Sequence, residues 1–326
     1  MFAKVQLYFH SHNILPPFFC YVIFFCSRLV FCLKMLYLCS MCNTRYYKVA
    51  EVSFAVTADT NDFELMTNYE PFITPNGSQA PVVFQLRVSE GDAITFTEEL
   101  RQDDDGQEIV CGKDAGGLPV FQFIWAGQTA GWLSSENDYC QATLIVTGNY
   151  RKLAIDNALM ILFALSTAGQ GIALFHASTV TFADKSYMFL GVSGTGKSTH
   201  SSLWLKYIKG TELLNDDNPV VRVDGDDVTV YGSPWSGKTP CYRNMNYPLG
   251  GIVLLSQAPY NKIHRLSGIH AYAALVPSIS GKRWDRRIAD GLHHTENALA
   301  MNVPVWHLEC LPDEAAAQLC HKTITV

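Results

Sequence analysis

The chain has 326 residues, 48% of them hydrophobic and 17% charged. That is enough for one large or two ordinary domains with real cores, and too apolar for a disordered protein. The 24 basic and 30 acidic residues leave a net charge of −6, so no global positive field argues for nucleic acid.

The charge is unevenly spread. Residues 1–42 hold Lys4, Arg28 and Lys34 but no acid, which leaves 21 basic against 30 acidic residues, net −9, in residues 43–326. The same 42 residues hold five of the ten cysteines: Cys20, Cys26, Cys32, Cys39 and Cys42. Three readings compete for this lead. A membrane anchor needs about 20 apolar residues. The longest apolar run, Phe18–Cys26, follows Pro16-Pro17, and extending it to Leu33 would bury Arg28 at a cost of about 3 kcal/mol. A secretory signal could start at Lys4, but Ser27-Arg28-Leu29-Val30 is no small-x-small cleavage site. In the third reading the lead is translated upstream sequence, or disordered. The native start is then Met41, just ahead of the alternating Tyr46-Tyr47-Lys48-Val49. The expectation is the third reading. The other cysteines, Cys111, Cys140, Cys241, Cys310 and Cys320, form no C-x-x-C pair. Reduced thiols in a cytoplasmic protein are expected.

Residues 43–150 read as a β-rich N-terminal domain. Val49–Val56, Val82–Val88, Ala93–Glu98, Phe121–Trp125 and Cys140–Thr147 are short β-branched or aromatic runs. Turn clusters at Thr74–Ser78, Asp103–Gly106 and Asp114–Gly117 separate them. The acidic run Asp103–Asp105 is expected to be a solvated turn rather than a cation site. Arg151–Thr167 is apolar nearly all round and reads as a buried helix stopped by Gly169 and Gly171.

From there to residue 326 the pattern is α/β. Strands are expected over Ile172–Phe182 and Ser186–Leu190, with a helix over Lys197–Ile208. A hairpin over Val220–Val223 and Val228–Tyr231 turns on Asp224-Gly225-Asp226-Asp227. A buried strand at Ile252–Leu255, a short helix at Ala271–Leu275 and a longer one at Asp285–Ala300 follow. The strand Val305–Leu308 leads to a last helix capped by Asp313.

Gly191-Val192-Ser193-Gly194-Thr195-Gly196-Lys197-Ser198 matches G-x-x-x-x-G-K-[ST], the Walker A pattern, with a strand before it and a helix after it. Glycines there let successive N–H groups turn inward around phosphate oxygens, and the helix N-terminus adds partial positive charge. Lys197 would reach the outer phosphates, and the Ser198 hydroxyl would bind Mg²⁺. A second match, Gly232–Thr239, runs straight into Pro240 with no helix behind it, so it is not expected to be a second cradle. Its Lys238 could still touch a phosphate as a point charge. Asp216-Asp217 end an apolar strand nineteen and twenty residues after Lys197. One carboxylate can hold Mg²⁺ and the other can take a proton from an attacking hydroxyl. His176 sits in the preceding strand, at a plausible active-site position.

Together these residues resemble the catalytic domain of HPr kinase/phosphorylase and its relatives, whose P-loop fold is shared with ATP-dependent phosphoenolpyruvate carboxykinases. The resemblance covers residues 171–256 and, more loosely, the Leu311–Ala316 ending. It implies an α/β P-loop kinase domain at 151–326, ATP and Mg²⁺ as cofactors, and transfer to a hydroxyl, with serine expected, free or in a peptide or protein. By the same resemblance Gly191, Ser193, Gly194, Thr195, Gly196, Lys197, Ser198 and Thr199 cradle the nucleotide. Ser198 and Asp216 hold the metal, Asp217 is the base, and His176 sets the protonation of the reacting group. Two departures stand out. Thr199 occupies a position where the family commonly has an acid. Pro234–Tyr247 replaces its glycine-rich substrate segment, with Lys238 and Arg243 as cations. These departures favour a rival reading, a nucleotide-binding sensor without catalysis. The basic cluster Lys282–Arg287 could dock an acidic substrate or a neighbouring subunit's phosphate in a homo-oligomer. A solvated helix start is expected instead.

Overall fold

The computed structural model describes residues 42–74, 81–104, 106–237 and 239–325. The readings of residues 1–41, of most of the Thr74–Ser78 turn, of Asp105 and of Lys238 lie outside them. Among the described residues no helix is long and apolar enough to cross a membrane.

The chain opens with β1 (Asn43–Val49) and β2 (Val52–Ala58). The single strand expected over Val49–Val56 is therefore two. Ala50 and Glu51 take positive φ values of 50° and 65°, and the two-residue turn pairs Val49 with Val52. A short helix α1 (Thr60–Glu64), capped by Asp59, follows. Then come β3 (Val82–Ser89), β4 (Thr97–Asp104), β5 (Gln107–Lys113), β6 (Pro119–Trp125), β7 (Gln128–Ser135) and β8 (Gln141–Val146). These eight strands form one mixed sheet in the order β1-β2-β3-β8-β7-β6-β5-β4. The strand expected at Ala93–Glu98 begins instead at Thr97 and runs through polar residues. It is an edge strand, held by backbone pairing to β5 alone, so it needs no apolar alternation. At the β4–β5 turn Asp103 accepts the Gly106 amide at 3.1 Å.

Helix α2 (Arg151–Thr167) has the expected bounds. It packs on β3, β6, β7 and β8 of this sheet, and also on β9 (Ile172–Leu174) of the next. The second sheet adds β10 (Ala177–Phe182), β11 (Lys185–Leu190), β12 (Glu212–Asp217), β13 (Val220–Asp224), β14 (Asp227–Tyr231), β15 (Asn246–Gln257), β16 (Lys262–Leu266) and β17 (Val305–Cys310). Its order is β12-β10-β11-β15-β14-β13-β9, with β17 on β15 and β16 on β17. The expected strand Ile172–Phe182 is broken. Phe175 N–H donates to Pro219 O at 3.0 Å and His176 N–H to Ser278 O at 2.7 Å. The chain thus leaves β13 as its partner and takes up β11 and β12.

Helices α3 (Lys197–Tyr207) and α6 (Glu314–Ile324) pack on each other and cover one side of this sheet. Trp204, Phe189, Val253 and Leu308 are buried beneath them. Helix α4 (Ile269–Leu275) leads to α5 (Arg286–Asn302), which packs on β9, β13 and β14.

Residues Asn43–Val326 form one compact unit. A single buried cluster runs from Phe54 and Phe84 through Phe163 of α2 to Trp235, Ile252 and Val305. Two mixed sheets therefore share a core across the expected boundary at residue 150.

Candidate functional site

Strand β10 runs antiparallel to both β11 and β12, so β11 and β12 end at the same edge of the sheet. Ser178 lies opposite Phe189 on one side and Asp216 on the other, and Ala177 is opposite Asp217. Two strand spacings put β12 about 10 Å from β11. His176, just before β10, reaches the same edge. The topology thus gathers the glycine-rich loop, Asp216-Asp217 and His176.

The loop leaves β11 after Leu190 and enters α3 at Lys197. Gly194 and Gly196 have φ of 79° and 110°, conformations costly for any residue with a Cβ. Lys197 is only 8% exposed, and its Nζ donates to Gly191 O at 3.0 Å, closing an arch over the loop. Thr195 ties the arch internally: its N–H and Oγ1 donate to Val192 O at 3.1 and 2.8 Å. Gln257 Nε2 braces it from β15 at Gly194 O, 3.2 Å. No side chain caps the first turn of α3, so its N-terminus faces the arch with orphan amides and partial positive charge. Ser193, Gly194, Ser198 and Thr199 are exposed there.

Asp216 is 4% exposed. Its main-chain oxygen accepts from Gly237 N–H at 2.6 Å and Ser236 Oγ at 3.1 Å. Among the described residues neither carboxylate oxygen of Asp216 has a hydrogen-bond partner, and neither is fully buried, so both are open to a ligand. Asp217 Oδ1 is 3.3 Å from His176 Nε2, and its Oδ2 accepts from Asn218 Nδ2 at 2.8 Å. Asp217 has φ 134°, an uncommon conformation for a residue with a Cβ and one that such sites hold by surrounding contacts.

Those contacts were missed in the sequence. Asn215 Oδ1 accepts the Asn218 amide at 2.8 Å, while its Nδ2 donates to Ser233 Oγ and Trp235 O. Ser233 Oγ donates to Asn218 O at 2.6 Å. The segment after β14 is no helix start. It lies along the acidic pair, with Ser236 bridging Asp217. A Cβ on Gly237 would stand 3.1 Å from Asp217 Cβ and 3.2 Å from Asp216 O. The downstream Gly-rich motif therefore serves as a wall for the acids. Its only sequence signal was the glycine itself.

His200, one turn into α3, was also missed. It is buried, accepts Trp204 Nε1–H at Nε2 (3.2 Å), and burial pushes its pKa down to about 4. Ser201 and Ser178 share a 2.6 Å hydrogen bond that pins α3 to β10.

The basic cluster is only in part the solvated helix start expected of it. Lys282 is 7% exposed and pairs with Glu99 at 3.4 Å. Arg283 pairs at 2.6 Å with Glu296, which is fully buried. Asp285 caps α5 through the Arg287 and Ile288 amides. Arg286, 94% exposed, and Arg287 stand out in solvent at the start of α5. Glu99, distant in sequence and itself exposed, and the buried Glu296 draw the first two cations inward.

Among the described residues no group of three or more His, Cys, Asp or Glu is placed to hold a metal. A cation at this edge would rest on Asp216, a hydroxyl such as Ser198, and oxygens of its own ligand. Mg²⁺ is commonly bound that way.

No protein-family model matches the chain, and no curated protein matches it. Among solved structures it is similar to the Hpr(Ser) kinase/phosphatase from Coxiella burnetii. The two are 10% identical, the match covers 47% of this chain and 93% of that chain, and the TM-score is 0.27. A TM-score that low supports no statement about this chain's activity.

Proposed function

We propose that the chain transfers a phosphoryl group from ATP, with Mg²⁺, to a hydroxyl acceptor, with serine the first candidate. The supporting observation is the convergence at one sheet edge of the arched glycine loop, the buried Asp216 and the Asp217–His176 pair. Bound Mg²⁺-ATP would supply an activated γ-phosphoryl group with part of its charge neutralised. Lys197 and the uncapped amides of α3 hold and balance phosphate oxygens. Asp216 and Ser198 hold the cation. Asp217 accepts the hydroxyl proton at Oδ1, and His176 Nε2 orients that carboxylate and steadies its charge.

One observation favours the rival reading, a nucleotide sensor that does not catalyse. Both oxygens of Asp217 already have partners, His176 and Asn218.

Incubation with γ-labelled ATP and Mg²⁺, against free serine, serine peptides and buffer alone, separates the two. Label on an acceptor supports the kinase. Tight ATP binding with neither transfer nor hydrolysis supports the sensor. Absence of ATP binding overturns both.

A further inference from the structure

A groove of about 530 Å³ opens beside His176, and no residue of the glycine loop lines it. One wall is the first sheet and α2, with Phe121, Met160, Ile161 and Leu165. The other is the segment 276–284, with Lys282. The volume is in the range of small-molecule sites. Phe121 and Leu165 are nearly buried, so a ligand would meet an apolar body there.

No Asp or Glu is among the residues that line the groove, in a chain with an acidic excess. Lys282 lines it while only 7% exposed, and its ammonium, with three donors, has one ion-pair partner, Glu99, at 3.4 Å. Glu99 is shared: Lys113 Nζ also pairs with it, at 3.6 Å. Glu99 is thus divided between two lysines, and the near-buried Lys282, whose Nζ also lies 5.6 Å from the Trp284 ring centroid, is left with a weak ion pair. Arg283 is balanced by Glu296 at 2.6 Å. A buried charge with incomplete pairing is costly unless something completes it. A single weakly paired ammonium calls for a monoanion, a carboxylate rather than a phosphate dianion.

We infer that this groove binds a small carboxylate-bearing molecule with an apolar body, the carboxylate at Lys282 and the opposite end at His176. Resting on the function proposed above, this molecule is the acceptor, and its hydroxyl is delivered to Asp217. The two sheets then divide the work: one edge takes the nucleotide, and the groove between them takes the acceptor.

The probe is 4-(hydroxymethyl)benzoic acid, compared with its amide 4-(hydroxymethyl)benzamide, each titrated calorimetrically into the full chain without nucleotide. The acid should bind at least about tenfold tighter than the amide, because a site built around a charge leaves it unpaired with the neutral analogue. Lys282→Gln should reduce that preference below about threefold. Ile161→Trp, at a half-buried position in the apolar wall, should weaken both probes by about tenfold or more. Both variants should keep the Mg²⁺-ATP affinity of the unaltered chain, which shows that they fold. Equal binding of acid and amide, binding of neither, a preference that survives Lys282→Gln, or indifference to Ile161→Trp overturns the inference. Lys282-dependent acid binding in a chain that does not bind ATP upholds the groove and overturns the nucleotide reading instead.

Discussion

Lys197 shows how backbone and side chain combine at the residue scale. Its ammonium is held by Gly191 O at 3.0 Å, at the point where α3 contributes uncapped amides. Lys197→Ala removes the ammonium held at the arch and should weaken ATP binding by about a hundredfold or more, measured by calorimetry. Asp217→Asn keeps the shape and the Asn218 contact. It should leave ATP affinity unchanged while transfer is lost, and full transfer activity in that variant would rule out Asp217 as the base. His200 contributes to acid stability. Burial holds its pKa near 4 in the folded chain, against about 6.5 when unfolded. Between those values the unfolded chain binds a proton that the folded one does not, so stability is full above pH 6.5 and falls as pH drops towards 4. The loss is on the order of 3 kcal/mol. Urea midpoints across this window should fall less steeply in His200→Gln than in the unaltered chain. The glycine loop, Asp216, Asp217 and His176 were readable as a candidate group from their types and spacing, and the structure brings them to one sheet edge. Asn215, Asn218, Ser233 and His200 were not, since nothing in a single Asn, Ser or His distinguishes a support from a surface residue.

At the scale of elements, legibility followed burial on all sides and turn chemistry. Arg151–Thr167 was readable because ten of its residues are buried, which leaves an almost unbroken apolar run. The β13–β14 hairpin was readable from its Asp/Gly turn, and Asp313 does cap the last helix. Strands β4, β5 and β7 were hidden because backbone pairing with neighbours, not their own alternation, makes them strands. The break at Phe175-His176 was invisible for the same reason: its cause is Pro219 and Ser278, distant in sequence. Packing of α2 on the first sheet yields a direct test at Gly131. A Cβ there would lie 2.6 Å from Ile145 O and 3.3 Å from Ala154 Cβ of the helix. Gly131→Ala should therefore cost about 1–3 kcal/mol, read from the urea midpoint. The cap offers a smaller one: Asp285→Ala should cost about 1 kcal/mol by the same measurement.

Over the whole molecule, the two sheets are joined by shared burial. Phe163 of α2 packs against Phe54 of the first sheet and against Trp235 beside the acidic pair. Trp235 Nε1 in turn donates to Tyr69 OH at 2.9 Å. Arg151 pairs with Asp62, itself 2% exposed. Chains joined by one core unfold together. Tryptophan fluorescence and far-ultraviolet circular dichroism should give coincident urea transitions for the full chain, and two separated transitions would show that the sheets are independent. By itself the sequence determined where the glycine-rich strand-to-helix turn, the acidic pair at a strand end and the helices lie, because local spacing and periodicity encode them. Only the tertiary structure decided that β10 brings loop and acids to one edge, that the second glycine motif walls the acids, and that Lys282 turns inward beside His176. Each of these depends on strand order or on a distant partner's charge, and neither is written in the local sequence.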